Sequence, residues 1–488
     1  MSAYIPNLFA IILAGGSGMR FWPLSRELNP KQLLSVFGTE SLLMQAMHRI
    51  LPLIDPQRGS VRIVTNERLL GALQEHLTCF ENTSRKVHYL VEPVGRNTAP
   101  AIALAAAELV AEDDDAVMIV LPSDHVLDNG VVWTDTITAA ACLAADGYLV
   151  NIGVQPTHPE TGYGYIEAGD PLPQYNFGVA APRKANQFVE KPSYPRAKAF
   201  VESGTHYWNA GICIARAAQV LAELGERSEA GRQIVDTCRW IATIPRAEWT
   251  SDEVRQRFAA LTSVSIDNAL FELSPNVVMI PTELGWRDVG SLRALELLAE
   301  PDAHGNTRLG RGVDIDSHDN LVYSSDRLVA LLGVQEMVVV DTPDATLVCP
   351  KDRCQDVRLV VDALKTIGAE EILEPRASLR PWGSWMTLLK GAGFQIKLLE
   401  LKPGAYSGVH RHLHHTEHWV VLEGTARVMR DYNLTDIGVT ESIVIPPGTV
   451  HRLENCTHEP LRIIEIQQGD MLGEEDIIRL TADMEEHQ

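Results

Sequence analysis

Residues 410–419 read HRHLHHTEHW, five histidines and one glutamate within ten positions. Imidazole nitrogens and a carboxylate are the donors that divalent transition metals take from a protein. On a β-strand, side chains two residues apart share a face, so His410 and His412 point the same way. A bend before Glu417, and His451 on a facing strand, would complete a four-donor set. His414 has the parity of His410 and His412 and can substitute; His415, His418 and His458 have no place in that scheme.

A different chemistry is written at residues 13–32, LAGGSGMRFWPLSRELNPKQ. Gly15, Gly16 and Gly18 follow an apolar strand, and without side chains there the backbone N–H groups can approach phosphate oxygens. Arg20 and, eleven residues on, Lys31 add positive charge. A P-loop would need Gly-Lys-Ser/Thr, and a dinucleotide fingerprint would need a small residue where Phe21 stands, so both are excluded. Read locally, Asp124 of PSDH is a turn or N-cap residue and Asp288 of WRDVGS is a helix N-cap. In EPVGRNTAPA, Asn97 or Thr98 caps an alanine-rich helix and Glu92 is a loop carboxylate.

These residues need elements to position them. From Leu8 to Val154, strand-like runs (LFAIILA, VRIVTN, HYLVEP, AVMIVLP, YLVNIGV) alternate with helical ones, as in a doubly wound α/β sheet. FAIILA ends at GGSG and AVMIVLP at PSDH, so both motifs fall at strand C-termini, the edge where open α/β sheets bind ligands. Residues 1–295 are expected to form this domain. Short strands with polar turns follow over 296–375, a β linker or solenoid. Residues 376–488 continue as evenly spaced strands, a jelly-roll β barrel ending in an acidic helical tail.

Composition narrows the function classes. A chain of 488 residues with a formal charge of -22 repels nucleic acid and anionic lipid over most of its surface. No uncharged apolar run reaches the ~18 residues that span a bilayer. The opening MSAYIPNLFAIILAGG has no basic leader, so the cytoplasm is the expected compartment. The seven cysteines are scattered without a C-x-x-C pair and read as reduced thiols.

The ordered segments LAGGSGMRFWPLSR, PKQ, EPVGRNTAPA, PSDH, TGYGYI, FVEKP, WNAG, SIDNALFE, WRDVGS, RPWG, EHW and IPPGTVHRLEN resemble one family along nearly the entire chain. It is that of the bacterial type II mannose-1-phosphate guanylyltransferase/mannose-6-phosphate isomerases. The resemblance implies that Arg20 and Lys31 hold the triphosphate of GTP and that Asp124 and Asp288 coordinate Mg²⁺. It sets Glu92, Arg96 and Asn97 around the nucleotide. Gly162, Gly164, Glu190, Lys191 and Asn209 then form the pocket for mannose 1-phosphate. The implied reaction is attack by the sugar phosphate on the α-phosphorus of GTP, giving GDP-mannose and pyrophosphate.

In the C-terminal part, Gly404, His410, His412, Glu417 and Gly424 fit the first cupin motif, and Pro446, Gly448, His451 and Asn455 the second. A divalent ion there, Zn²⁺, Co²⁺ or Mn²⁺, would polarise a sugar carbonyl for isomerisation of mannose 6-phosphate. The sequence departs from the family pattern at Met19, Asn268 and Leu273, where threonine, tyrosine and lysine are usual. It departs again at His410 and His415, where glutamine and arginine are usual. Losing the arginine removes a permanent cation, so weak isomerisation is expected. A homo-oligomer is expected. The rival readings are a pyrophosphorylase for another base or hexose 1-phosphate, and a barrel that only binds metal or joins subunits.

Overall fold

The computed structural model describes residues 5, 7–81, 87–127, 130–175, 177–178, 180–473 and 476–480. The chain packs as two compact units. The first comprises Met1–Gly16, Leu42–Leu70 and Cys79–Val289, and the second Ser17–Ser41, Gly71–Thr78 and Gly290–Gln488.

In the first unit, β1 (Leu8–Leu13), β2 (Val61–Asn66), β3 (Val87–Glu92) and β4 (Val117–Pro122) run parallel in the order β3-β2-β1-β4. The first five residues of β1 and of β4 are all buried, which is why both read as unbroken apolar runs rather than alternating ones. The helix Thr98–Glu112 buries six alanines, whose small side chains let it lie close to its neighbours. Asn97 caps it, its Oδ1 accepting from the Thr98 N–H at 2.8 Å.

The remaining strands are β5 (His125–Val126), β6 (Leu149–Val154), β7 (Gly164–Pro171), β8 (Arg183–Glu190), β9 (His206–Arg216), β10 (Val277–Thr282) and β11 (Arg287–Asp288). The full sheet has nine strands in the order β3-β2-β1-β4-β9-β6-β10-β8-β7, with β9 antiparallel to both β4 and β6. The α/β class is thus realised as a mixed sheet. Alternating strands and helices in the sequence give no sign of the reversal at β9. Beside the sheet, β5 and β11 form their own antiparallel ladder, pairing Asp288 with His125.

The second unit contains β12 (Thr307–Leu309), β13 (Gly312–Ile315), β14 (Leu321–Ser324), β15 (Val329–Leu332), β16 (Met337–Asp341) and β17 (Thr346–Pro350). Parallel ladders β12-β14-β16 and β13-β15 make this a β solenoid, with β17 added antiparallel. Its core holds Val322, Leu331 and Val339. Asparagines stack at its turns. Asn320 donates from Nδ2 to Asn306 Oδ1 and to the Val334 carbonyl, each at 2.9 Å, and its Oδ1 accepts from the Met337 N–H at 3.0 Å.

Eleven further strands follow: β18 (Ala377–Arg380), β19 (Gly383–Gly391), β20 (Phe394–Leu401), β21 (His410–His412), β22 (His415–Glu423), β23 (Ala426–Arg430), β24 (Asn433–Ile437), β25 (Ser442–Ile445), β26 (His451–Glu454), β27 (Leu461–Gly469) and β28 (Ile477–Arg479). They form two sheets, β18-β19-β20-β27-β22-β25 and β24-β23-β26-β21-β28, in a jelly-roll barrel around Leu399, Trp419, Val421, Val428 and Ile463. The acidic tail does not begin as the expected helix. Residues 477–479 are strand, not helix, because the edge of β21 offers them a ladder; residues 481–488 of the expected helix lie outside the described residues.

Asn320 is fully buried and satisfies three partners, so Asn320→Ala strands buried polar groups of the backbone. The expected cost is about 1–3 kcal/mol, read as a lowered midpoint in denaturant unfolding; an unchanged midpoint would contradict the ladder's role.

Candidate functional site

The parallel pairing of β1 and β4 sets Leu13 opposite Pro122, and Ser123 Oγ donates to the Leu13 carbonyl at 2.6 Å. The chain therefore leaves both strands side by side, into Gly15–Gly16 on one and Asp124 on the other. At the end of β2, Asn66 Nδ2 donates to the Gly15 carbonyl at 3.1 Å. At the end of β3, the Glu92 carboxylate lies so near that a methyl group on Gly15 would stand 3.1 Å from its Oε2. Burial pushes the Glu92 carboxyl up to about 7.

Asp124 and Asp288 converge on one imidazole. His125 Nε2 is 4.0 Å from Asp124 Oδ1 and 3.7 Å from Asp288 Oδ1. Trp286 Nε1 donates to His125 Nδ1 at 3.2 Å, which leaves the ring proton on Nε2, toward the carboxylates. Aromatic rings from three motifs close this region: Trp286 lies 5.1 Å from Tyr163 and 6.2 Å from Trp208 between centroids. His125 and this aromatic cluster are absent from the sequence-derived site. Their signal was there in the aromatic residues of TGYGYI, WNAG and WRDVGS.

Gly164 faces Glu190 across the β7–β8 pair, and any side chain at Gly164 would meet Glu190 Oε2 at 2.7 Å and Asn209 Cβ at 3.4 Å. Lys191 Nζ pairs with Glu190 Oε1 at 2.6 Å, and Lys191 N–H donates to the Tyr163 carbonyl at 3.2 Å. Asn209 is fixed at both ends: its Oδ1 accepts from Gly211 N–H and its Nδ2 donates to Asp267 Oδ1, each at 3.1 Å. Gly162 N–H donates to Glu160 at 2.8 Å. Arg96 bonds the Ala259 carbonyl and Asn97 caps the helix described above. Asp267, from SIDNALFE, was not singled out by sequence; burial, then the charge of Glu190, pushes its carboxyl up to about 7.

Gly18, Arg20 and Lys31 belong to the second unit. Gly18 takes φ 60°, where a side chain would run into Lys31. Arg20 Nη1 donates to Gln355 Oε1 at 3.1 Å.

In the barrel, Glu417 is the hub. Its Oε1 lies 3.5 Å from His412 Nε2 and 3.4 Å from His415 Nε2, and its Oε2 lies 3.5 Å from His451 Nε2. Burial opposes ionisation of Glu417, but the surrounding imidazoles outweigh it and hold the carboxyl well below its usual range. His410 sits beside His451 with ring centroids 4.3 Å apart. Burial lowers His410 to about 3. Nδ1 of His410 bonds the Gly408 carbonyl at 2.8 Å and Nδ1 of His451 the Thr449 carbonyl at 3.0 Å, so on each ring Nε2 is the nitrogen that could take a metal. His414 is turned away toward Asp476, half-exposed.

Known proteins align with the whole of this arrangement. Residues 9–303 match the family described as nucleotidyl transferase, 310–364 the MannoseP isomerase/GMP-like beta-helix domain, and 368–482 the mannose-6-phosphate isomerase C-terminal family. Mannose-1-phosphate guanylyltransferase RfbM of Salmonella typhimurium is 39% identical over 97% of this chain and 97% of its own. Alginate biosynthesis protein AlgA of Pseudomonas aeruginosa is 38% identical over 97% and 96%.

The chain belongs to the mannose-1-phosphate guanylyltransferase/mannose-6-phosphate isomerase family. The crystal structure of mannose-1-phosphate geranyltransferase from Thermus thermophilus superposes with a TM-score of 0.61 at 30% identity, covering 74% of this chain and 99% of that one.

Two departures from the family pattern have visible consequences. Asn268 Nδ2 donates to Glu272 Oε2 at 3.0 Å, and Glu272 Oε1 accepts from the Glu190 N–H at 3.1 Å, so the residue in the usual tyrosine position steadies the end of β8 through Glu272. His415 joins the barrel cluster from which parity had excluded it. The chain turns between β21 and β22, so parity must be counted anew from Glu417, and His415 then shares that residue's inward face.

The donor set fits a divalent metal. Among the described residues, both nitrogens of His412, Glu417 Oε2 and His451 Nε2 are buried without a hydrogen-bond partner, a cost that a bound cation would remove.

A carboxyl whose folded value exceeds its unfolded one favours folding at low pH. For Asp267 that contribution is full below about 3.8 and is lost as pH rises to about 7. Between about pH 3.8 and 7 the melting temperature of Asp267→Asn should therefore fall less, or rise more, with pH than that of the wild type, as measured by calorimetry across that range. An identical pH dependence in the variant would contradict the burial of this charge.

Proposed function

We propose that this chain makes GDP-mannose and pyrophosphate from GTP and mannose 1-phosphate, a mannose-1-phosphate guanylyltransferase. The observation that carries this reading is the convergence of Asp124 and Asp288 on His125 beside the strand ends that bear Gly15 and Gly16. Two carboxylates with phosphate oxygens suit Mg²⁺, which when bound neutralises charge on the triphosphate.

The chain's own groups do the rest. Backbone N–H groups of Gly15 and Gly16 hold phosphate oxygens, the role that the family pattern also gives Gly18, Arg20 and Lys31. Glu92, Arg96 and Asn97 border the nucleotide, and the buried Glu92 suits the N–H donors of guanine. Lys191 holds the sugar phosphate, while Glu190 and Asn209 take the sugar hydroxyls, with Gly162 and Gly164 allowing close approach. The phosphate oxygen of mannose 1-phosphate attacks the α-phosphorus in line and pyrophosphate leaves. Alignment and charge neutralisation supply the rate, with no covalent enzyme intermediate.

For the barrel, the reading is a metal-dependent isomerisation of mannose 6-phosphate and fructose 6-phosphate. It is supported by a cavity of about 950 Å³ lined by His410, His415, Glu417, Trp385, Lys397 and Glu465. Lys397 lies over the Trp385 ring at 5.3 Å. A cation at position 415, as in the family pattern, is replaced by an imidazole, so turnover here is expected to lie well below that of guanylyltransfer. We place both activities in the cytoplasm, in a homo-oligomer. No helix among the described residues is long and apolar enough to cross a membrane.

Arg20→Ala and Asp124→Ala should each lower GDP-mannose formation by at least about 100-fold, with the content of barrel metal unchanged. Pyrophosphate release from GTP and mannose 1-phosphate, with metal analysis, measures both. Undiminished turnover in both variants would overturn these roles.

A further inference from the structure

His415 stands where the family pattern has arginine, yet nothing around it resembles the setting of a solvated cation. It is 2% exposed, and its Nδ1 is bound twice, to Asp476 Oδ2 at 2.8 Å and to the Met471 carbonyl at 2.9 Å. An Nδ1 engaged by a carboxylate and a carbonyl keeps its proton, so Nε2 is the nitrogen that faces Glu417 and that a metal would take by displacing the Nε2 proton. That Nε2 lies 3.4 Å from Glu417 Oε1. One donor atom each from His412, His415 and Glu417 falls within 4.8 Å of the other two, and all three residues are buried.

We propose, building on the reading of the barrel as a metal centre, that His415 is itself a ligand alongside His412, Glu417 and His451, and that Asp476 is the residue that positions it. Carboxylate–histidine–metal relays fix both the tautomer and the aim of a ligating ring. Asp476 is built for that task. Its side chain is 1% exposed, and it accepts from the backbone N–H groups of Leu413 and His414 at 3.0 and 2.9 Å as well as bonding His415. Those bonds also hold the turn between β21 and β22, so one carboxylate shapes the bend and aims the ring that follows it.

The His412 and His415 rings stack, with centroids 3.9 Å apart and planes 17° from parallel. One ion cannot lie in the planes of two stacked rings, so one of them turns when metal binds. His415 is held at Nδ1, whereas His412 has no hydrogen bond at either nitrogen among the described residues. His412 is therefore the ring that re-aims. The cation of the family pattern has been exchanged for a ligand. Position 410 carries the opposite trade: histidine stands where the family has glutamine, so His410→Gln is the mild change and His415→Ala the severe one.

The test uses the full chain, stripped by chelation and reloaded with Co²⁺, with stoichiometry from elemental analysis, affinity from competition with a chromophoric chelator, and the visible ligand-field spectrum. The expected result is one Co²⁺ per chain in the wild type. His415→Ala should weaken affinity by at least about 100-fold and Asp476→Asn by about 10-fold, both with an altered spectrum, while His410→Gln changes affinity less than either. Guanylyltransferase activity should persist in all three, which reports that the chain is folded. If His415→Ala does not fold, Asp476→Asn decides through the spectrum. Wild-type affinity and spectrum in His415→Ala, or in Asp476→Asn where only that variant folds, while a His412→Ala/His451→Ala variant loses Co²⁺, would overturn the role of His415 and leave the metal centre standing. Absence of Co²⁺ binding by the wild type would overturn both.

Discussion

The register between two parallel strands is the constraint on which the proposed transferase site depends. Pairing Leu13 with Pro122 delivers Gly15 and Gly16 from one strand and Asp124 from the next to the same edge of the sheet. Parallel strands share a direction, so their C-terminal loops emerge together and converge on one ligand. The pairing is in turn held by burial of β1 and β4. A slip of one residue would turn every inward side chain outward. The chemistry is polar, but apolar packing positions it.

A second constraint is the cost of taking charge out of water, about several kcal/mol per ion even after relaxation. The two units meet it differently. Glu92 and Asp267 are half-buried with too little compensation, and their carboxyls are pushed up to about 7. Such groups are poised to gain from a ligand that brings a donor or a cation. Glu417 is buried more deeply still, but it is ringed by histidines and stays ionised. A carboxylate held below its usual range by imidazoles is the electrostatic signature of a cation site, and it is paired with orphaned donor atoms on His412 and His451.

Much of this was legible in the sequence, for identifiable reasons. Unbroken apolar runs announced parallel strands, and the glycine and PSDH motifs announced what lay at their ends. What was not legible depended on geometry that no local pattern encodes. The antiparallel insertion of β9 is a tertiary choice between two neighbours. His125 lies in a motif already singled out, but its role as the point between two carboxylates needs the ladder that joins β5 to β11. His415 was set aside because parity was counted across a turn, and the tail after Asp476 was read by composition although its pairing with β21 decides it. Asp267 escaped notice because its partner, Asn209, is distant in sequence.

The most direct measurement of the central claim is steady-state pyrophosphate release by the purified chain with Mg²⁺, across GTP, ATP, UTP and CTP paired with mannose 1-phosphate and glucose 1-phosphate. The account predicts that GTP with mannose 1-phosphate exceeds every other pair in kcat/KM by at least about tenfold, because a site that hydrogen-bonds its base and sugar rejects analogues that leave its buried groups unpaired. Equal turnover of UTP with glucose 1-phosphate would contradict it.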